Sequence, residues 1–93
     1  MQLILYSKPG CHLCEGLEEK IRAITAFSID LEVRDIRTNE AWMRAYEFEI
    51  PVICALTATG TEQICPRISP RASVDQVARS LQTFYATIEP RDS

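Results

Sequence analysis

Two cysteines separated by two residues, Cys11 and Cys14, most constrain what this 93-residue chain can fold into. An apolar run (residues 3–6) and a Pro-Gly turn precede the pair, and apolar residues with helical spacing follow it. A buried strand, a tight turn and a helix in this order begin a βαβ unit, and a Cys-x-x-Cys pair in that setting indicates a redox dithiol. The sequence therefore predicts thiol chemistry at the start of the first helix.

The predicted position of Cys11, at the amino end of that helix, favours a reactive thiolate. Backbone N–H groups without helical partners and the helix dipole both stabilise negative charge there. Cysteines at such positions have pKa values between roughly 3.5 and 7.5, compared with about 8.5 for a free thiol. Cys14 lies most of one turn further on and is predicted to face inward, within reach of Cys11. We therefore expect an attacking thiol at Cys11 and a resolving thiol at Cys14.

Hydrophobic spacing predicts four strands and three helices in the order β-α-β-α-β-β-α. The predicted strands are residues 3–6, 29–34, 50–56 and 61–65. A right-handed crossover makes the first two strands parallel, and a tight connection makes the last two antiparallel. The expected fold class is therefore α/β, with one mixed four-stranded sheet flanked by helices on both faces.

The helices are predicted from their apolar faces and capping residues. The first begins at Cys11 and fades near residues 26–27, and its apolar stripe is Leu13, Leu17, Ile21 and Ile24. The second has Thr38 as N-cap and ends before Pro51, and its core face is Trp42, Ala45 and Tyr46. The third begins at a capping box formed by Ser73 and Gln76, and a fraying tail (residues 89–93) follows it.

Composition narrows the classes of function. A hydrophobic fraction of 46% and a charged fraction of 25% are typical of one globular domain over residues 1–93. A net charge of −3 and a pI of about 5.1 argue against nucleic acid or an anionic membrane as the main partner. No apolar run is long enough for a transmembrane helix, and the residues after Met1 lack the basic region of a signal peptide. We expect a monomeric cytoplasmic protein.

Three features carry a resemblance to a known family. They are the sequence Cys11-His12-Leu13-Cys14, a lysine three residues before it (Lys8), and the segment Glu49-Ile50-Pro51. From Leu3 to about Ile88 the chain resembles the glutaredoxin-like proteins of the thioredoxin superfamily, and most closely a short bacterial subgroup. The resemblance implies a thioredoxin-like fold, thiol–disulfide oxidoreductase activity without a tightly bound cofactor, and a cis peptide bond before Pro51 opposite the active site.

The same resemblance implies roles for individual residues. Cys11 and Cys14 would be catalytic, and Lys8 and His12 would tune the attacking thiol. The expected substrate-binding residues are Ile50, through its free backbone groups, together with Pro51, Arg67 and Arg71. The partner would be a disulfide-containing protein, or glutathione acting as reductant or substrate.

The chain departs from the usual glutaredoxin pattern at three places. His12 and Leu13 replace the proline and tyrosine of Cys-Pro-Tyr-Cys, and Glu49-Ile50 replaces the Thr-Val that usually precedes the proline. The segment 64–73 lacks the Gly-Gly and acidic residues with which glutaredoxins hold glutathione. We therefore expect weak activity with glutathione.

Alternatives are open for several of these residues. Cys11 and Cys14 supply half of a four-ligand zinc site, so a non-catalytic binding module with a metal or iron–sulfur clip is the second hypothesis. His12 is either a surface residue or a group that lowers the pKa of Cys11. Lys8, Arg67 and Arg71 either are solvated or gather at the active-site loop to hold an acidic substrate or glutathione carboxylates.

The remaining cysteines, Cys54 and Cys65, are predicted to be small core residues. A two-residue turn at Thr59-Gly60 would instead place them opposite each other on paired strands, close enough for a disulfide. A four-residue turn would shift the register and separate them.

Overall fold

Four strands form one sheet in a computed structural model that describes residues 1–88. The strands are β1 (Gln2–Ser7), β2 (Asp30–Asp35), β3 (Val52–Leu56) and β4 (Glu62–Ile64), in the order β2-β1-β3-β4. The helices are α1 (His12–Ala23), α2 (Glu40–Tyr46) and α3 (Val74–Ile88), and a short 3-10 helix spans Ile36–Thr38. β1 pairs in parallel with β2, whereas the β1–β3 and β3–β4 pairs are antiparallel. The predicted mixed sheet and order of elements are confirmed, and the predicted tail (89–93) lies outside the described residues.

Helices cover both faces of the sheet. Successive residues of β1 point to opposite sides, so β1 contributes to the core on each face. Leu3 and Leu5 lie in a cluster with residues of α1 and α3, including Ile21, Val77 and Leu81. The side chains of the second face pack under α2; they are Ile4, Tyr6, Val52 and Cys54. β1 is therefore the centre of the domain, and its last residue, Ser7, leads directly to the Cys-x-x-Cys pair. None of the helices within residues 1–88 is long and apolar enough to cross a membrane.

Two predicted helix ends were wrong. α1 ends at Ala23 rather than near residue 26, because Ile24 has an extended backbone and its N–H bonds to the carbonyl of Ile21. The N-cap of α2 is Asn39, not Thr38, because the Asn39 side chain accepts hydrogen bonds from the first N–H groups of the helix. Thr38 instead closes the 3-10 turn by donating to the carbonyl of Asp35.

The second face contains a polar network that spans the sheet from β2 to β4. The Tyr6 hydroxyl donates to Glu62 at 2.5 Å and accepts from Arg34 at 2.9 Å. The Arg34 guanidinium also lies 5.0 Å from the centre of the Trp42 ring, on α2. Burial and the hydrogen bond to Glu62 raise the pKa of Tyr6, so the phenol stays protonated. Trp42 and Tyr46 pack on this face as predicted, but the third core residue of α2 is Met43 rather than the exposed Ala45.

The β3–β4 register separates Cys54 from Cys65. The N–H of Thr57 donates to the carbonyl of Thr61, so three residues lie between this bonded pair, and in the same register Cys54 faces Ile64. Cys65 bonds instead to the carbonyl of Ile53 and belongs to the opposite face of the sheet. Both thiols are free and buried. The alternative of a facing pair is therefore wrong, and the prediction of two small core residues is confirmed.

Buried Cys54 should make the fold sensitive to alkali. Burial, and secondarily the carboxylate of Glu62, raises the pKa of its thiol from 9.0 to about 11. A raised pKa contributes stability below pH 9, and this contribution is lost as the pH rises from 9 to 11. The comparison uses a Cys11→Ser/Cys14→Ser parent, in which disulfide exchange with the active-site cysteines is prevented. Between pH 9 and pH 11, the free energy of unfolding should fall by about 2 kcal/mol less in the Cys54→Ala variant of this parent than in the parent itself. Urea unfolding at each pH measures the difference, and equal losses would contradict the burial of an ionisable thiol.

Candidate active site

The turn after β1 places Cys11 at the amino end of α1. Gly10 has a φ of +82°, in the left-handed region that glycine adopts without strain. The N–H of Cys11 donates to the carbonyl of Lys8 at 3.3 Å and closes the turn. The backbone of Cys11 is extended, and its side chain is the N-cap of α1.

The sulfur of Cys11 accepts a hydrogen bond from the backbone N–H of Cys14 at 3.3 Å. That N–H belongs to the first turn of the helix, where backbone donors have no helical partner. The carbonyl of Cys11 accepts from Glu15 at 3.0 Å as the first bond of the helix. A helix of 12 residues therefore points its positive end at the Cys11 sulfur, which favours a thiolate there.

Cys11 and Cys14 are joined by a disulfide, with their Cα atoms 5.3 Å apart. Cys14 is 2% exposed, whereas Cys11 is half-buried. Their backbones thus bring the two sulfurs together while only one cysteine faces solvent. This arrangement allows one thiol to meet a substrate and the other to attack only within the protein.

The two residues predicted to tune Cys11 have different surroundings. The His12 side chain is 95% exposed, and its Nδ1 lies 4.0 Å from a carboxylate oxygen of Glu15. The surface alternative for His12 therefore agrees with its exposure. The Lys8 side chain is also exposed, and the contact with Cys11 is made by the Lys8 carbonyl rather than by its ammonium.

The peptide bond between Ile50 and Pro51 is cis, at the start of β3. The N–H of Ile50 is not free, because it donates to the carbonyl of Tyr46 at 3.1 Å. Glu49 donates to the same carbonyl at 2.9 Å, so the chain folds back on the end of α2 before it enters β3. The expectation of a free Ile50 N–H was wrong. The Ile50 carbonyl accepts no hydrogen bond from residues 1–88 and is the backbone group left for a ligand.

A groove of about 480 Å³ runs beside the dithiol, between α1 and the segment from Ile64 to Pro70. His12, Leu13 and Pro51 line it at the active-site end. Leu13 belongs to the predicted apolar stripe of α1 but is 52% exposed, because it faces the groove rather than the core. The groove is lined mainly by apolar side chains, and Ile64, which is 60% exposed, adds to them.

Two basic side chains bridge parts of this groove. Lys20 donates from α1 to the carbonyl of Pro70 at 2.8 Å, and Arg67 donates to the carbonyl of Glu49 at 3.2 Å. Arg67 therefore lies at the groove beside the dithiol. Arg71 is not among the groove's lining residues; it lines a neighbouring pocket, so the expected gathering of Lys8, Arg67 and Arg71 is not observed.

The sequence interpretation missed Lys20 and Leu13 as groove residues, although a signal was present. Leu13, Leu17 and Lys20 are four and then three residues apart, so they share one face of α1. An apolar stripe on a helix that extends beyond the core-facing residues and ends at a lysine could have indicated a groove at the surface. Within residues 1–88, no group of three or more His, Cys, Asp or Glu side chains is arranged to hold a metal ion.

Comparison with known proteins agrees with this geometry. The family model described as glutaredoxin-like domain (DUF836) matches residues 2–82, which include the dithiol, the cis proline and most of α3. The chain belongs to this family. It is a glutaredoxin-like protein of the thioredoxin superfamily, and no curated protein matches it.

Solved structures share the fold of this glutaredoxin-like protein. Thioredoxin 1 from Thermosipho africanus TCF52B aligns with a TM-score of 0.61 at 22% identity, over 94% of this chain and 97% of that one. The Northeast Structural Genomics target XcR50 from X. campestris aligns with a TM-score of 0.55 at 24% identity, over 87% and 96%. A malarial protein aligns with a TM-score of 0.55 at 15% identity, over 89% and 94%. The thioredoxin-like α/β fold predicted from the sequence is confirmed.

The cap position of Cys11 predicts that it is the most reactive thiol of the reduced protein. Iodoacetamide at about pH 6 should label Cys11 first, because a thiolate reacts and the helix terminus stabilises this one. Cys14, Cys54 and Cys65 should be labelled slowly, since all three are buried. Peptide mass spectrometry over a time course gives the order. Faster labelling of any of the other three would contradict the assignment.

Proposed function

We propose that this glutaredoxin-like protein is a thiol–disulfide oxidoreductase in which Cys11 attacks and Cys14 resolves. The observation that carries the proposal is the hydrogen bond from the Cys14 N–H to the Cys11 sulfur at the start of α1. It supports a thiolate at Cys11, and the burial of Cys14 supports a thiol that reacts only with Cys11. The membership of a glutaredoxin-like family supports the same chemistry.

The proposed reaction proceeds by two displacements. The Cys11 thiolate attacks one sulfur of a substrate disulfide, the substrate S–S bond breaks, and the departing thiolate takes a proton from solvent. Cys14 then loses its proton and attacks the Cys11 sulfur of the mixed disulfide, which releases the second substrate thiol. The protein ends with the Cys11–Cys14 disulfide, and two electrons have passed to the substrate. A cellular thiol such as glutathione, or a protein dithiol, would reduce the pair again.

The groove supports a disulfide-bearing protein as the first candidate substrate. Its apolar lining fits a side chain next to the substrate cysteine, and Pro51 lies at its active-site end. Arg67 would hold a polar group of the substrate at the loop side. We propose a monomer that acts in a reducing compartment, the cytoplasm, and needs no tightly bound cofactor.

Variants of the two cysteines test the division of roles. Cys14→Ser should form stable mixed disulfides with proteins in a cell extract, because attack is intact and resolution is lost. Cys11→Ser should form none, because the buried Cys14 cannot reach a substrate. Non-reducing electrophoresis followed by mass spectrometry identifies the attached proteins.

Cys54→Ser/Cys65→Ser is the matched control, because it removes two thiols but leaves the proposed pair. It should reduce a disulfide substrate at the parent rate. If Cys14→Ser captures no more protein than Cys11→Ser, the roles assigned to the two thiols are wrong.

Glutathione-dependent turnover should be weak. The segment 64–73 lacks the Gly-Gly and acidic residues of glutaredoxins. The N–H of Ile50 is also already bonded to Tyr46 and cannot pair with a glutathione backbone without breaking that bond. We expect a coupled assay with glutathione reductase to give a rate at least about tenfold below that of a Cys-Pro-Tyr-Cys glutaredoxin, since each net backbone hydrogen bond contributes about 1 kcal/mol. Comparable rates would show that the groove accepts glutathione.

A further inference from the structure

The arginines of this protein fall into two groups. Of the seven within residues 1–88, four pair with carboxylates of their own chain. The paired residues are Arg22, Arg34, Arg37 and Arg44. The other three are Arg67, Arg71 and Arg79, and none of them forms an ion pair with the described part of the chain. Arg67 donates to a backbone carbonyl, whereas the side chains of Arg71 and Arg79 make no hydrogen bond to residues 1–88.

These three arginines line one open pocket of about 650 Å³, between the segment 67–72 and the first turns of α3. We call it the arginine pocket. Its other polar side chains are Ser69, Gln76 and Ser80. Within residues 1–88 no aspartate or glutamate lines it, although the whole chain has a net charge of −3. The guanidinium groups of the described residues that pair with no carboxylate thus all lie at one place.

We propose that the arginine pocket binds the carboxylates of an acidic segment in the protein whose disulfide is reduced, a proposal that rests on the proposed function. A guanidinium group presents its N–H donors as a planar fork that matches a carboxylate, and hydroxyl and amide groups add neutral donors. Three such groups that pair with no carboxylate of residues 1–88 are complementary to several negative charges rather than to one.

The position of the pocket favours an extended segment as its ligand. Arg67, Ile68 and Ser69 line both the arginine pocket and the groove beside the dithiol. A chain that places an apolar side chain in the groove therefore continues over Arg67 toward Arg71 and Arg79. The pocket is open and its arginines are exposed, which suits a row of carboxylates better than one enclosed small anion.

The test compares two synthetic peptides in single-turnover reduction by the pre-reduced protein. Both contain the same disulfide with the same apolar neighbours, and glutamates flank it on both sides in one peptide, glutamines in the other. Each rate is divided by the rate with dithiothreitol, which corrects for the intrinsic reactivity of the peptide. We expect kcat/KM to be about five- to tenfold higher for the acidic peptide at low salt, because several exposed ion pairs each contribute a little. The net charge of the protein alone would favour the opposite order.

Arg71→Gln/Arg79→Gln should reduce this preference to about twofold or less and leave the rate with the neutral peptide unchanged. Arg37→Gln/Arg44→Gln is the matched control, because it removes the same two positive charges outside the pocket, where Arg37 pairs with Asp35 and Arg44 pairs with Glu40. It should retain the preference. Raising the ionic strength from about 0.01 M to about 0.15 M should weaken the preference, since the screening length falls from about 30 Å to about 8 Å.

Sodium phosphate and sodium chloride at equal ionic strength distinguish an acidic segment from a small phosphate ligand. Equal loss of the preference supports the acidic segment, and a much stronger effect of phosphate would overturn it. Equal normalised rates for both peptides would also overturn the proposal while leaving the oxidoreductase function intact. So would an Arg37→Gln/Arg44→Gln variant that loses as much preference as Arg71→Gln/Arg79→Gln. If the protein reduces neither peptide, the proposed function fails and this proposal fails with it.

Discussion

The hydrogen bond from the Cys14 N–H to the Cys11 sulfur organises the active site. It makes a thiol serve as the helix cap, a position that serine, threonine, aspartate or asparagine usually occupies. The cap fixes the Cys11 sulfur against the positive end of α1 and places Cys14 on the inner side of the same turn. In the proposed reaction, this contact favours the Cys11 thiolate, and the burial of Cys14 keeps the second thiol from solvent.

The sheet and its packed core hold the turn that carries this contact. β1 is paired on both sides, and its carboxyl end leads through the turn at Gly10 to Cys11, so the cap is anchored to the centre of the sheet. On the second face, the network around Tyr6 and Arg34 links the strands from β2 to β4. Pro51 begins β3 at the end of the sheet where the dithiol lies, which brings the groove beside α1. The paired strands thus hold the two cysteines, and under the proposed function the exposed surface around them would contact the substrate.

The sequence was sufficient for the fold because its periodicities were clear and agreed with its turns. Three local features predicted from the sequence are present in the structure: the apolar strand β1, the capping box at Ser73, and the Cys-x-x-Cys pair at the start of α1. The sequence did not determine the β3–β4 register, because turns of two different lengths can be built around Thr59-Gly60. A shift of one residue in this register moves Cys65 to the face of the sheet opposite Cys54. The engaged N–H of Ile50 depends on how α2 ends, which its sequence does not specify. The arginine pocket depends on which arginines find internal carboxylates, a tertiary property.

The reduction potential of the Cys11–Cys14 pair tests the central claim, that this disulfide is a reversible redox centre rather than a structural crosslink. Equilibration with thiol–disulfide buffers, followed by alkylation and mass analysis of the pair, measures it. A cap that stabilises the reduced thiolate places the potential between about −270 and −120 mV, the range of redox-cycling dithiols. A potential below about −300 mV, typical of structural disulfides, would contradict the account.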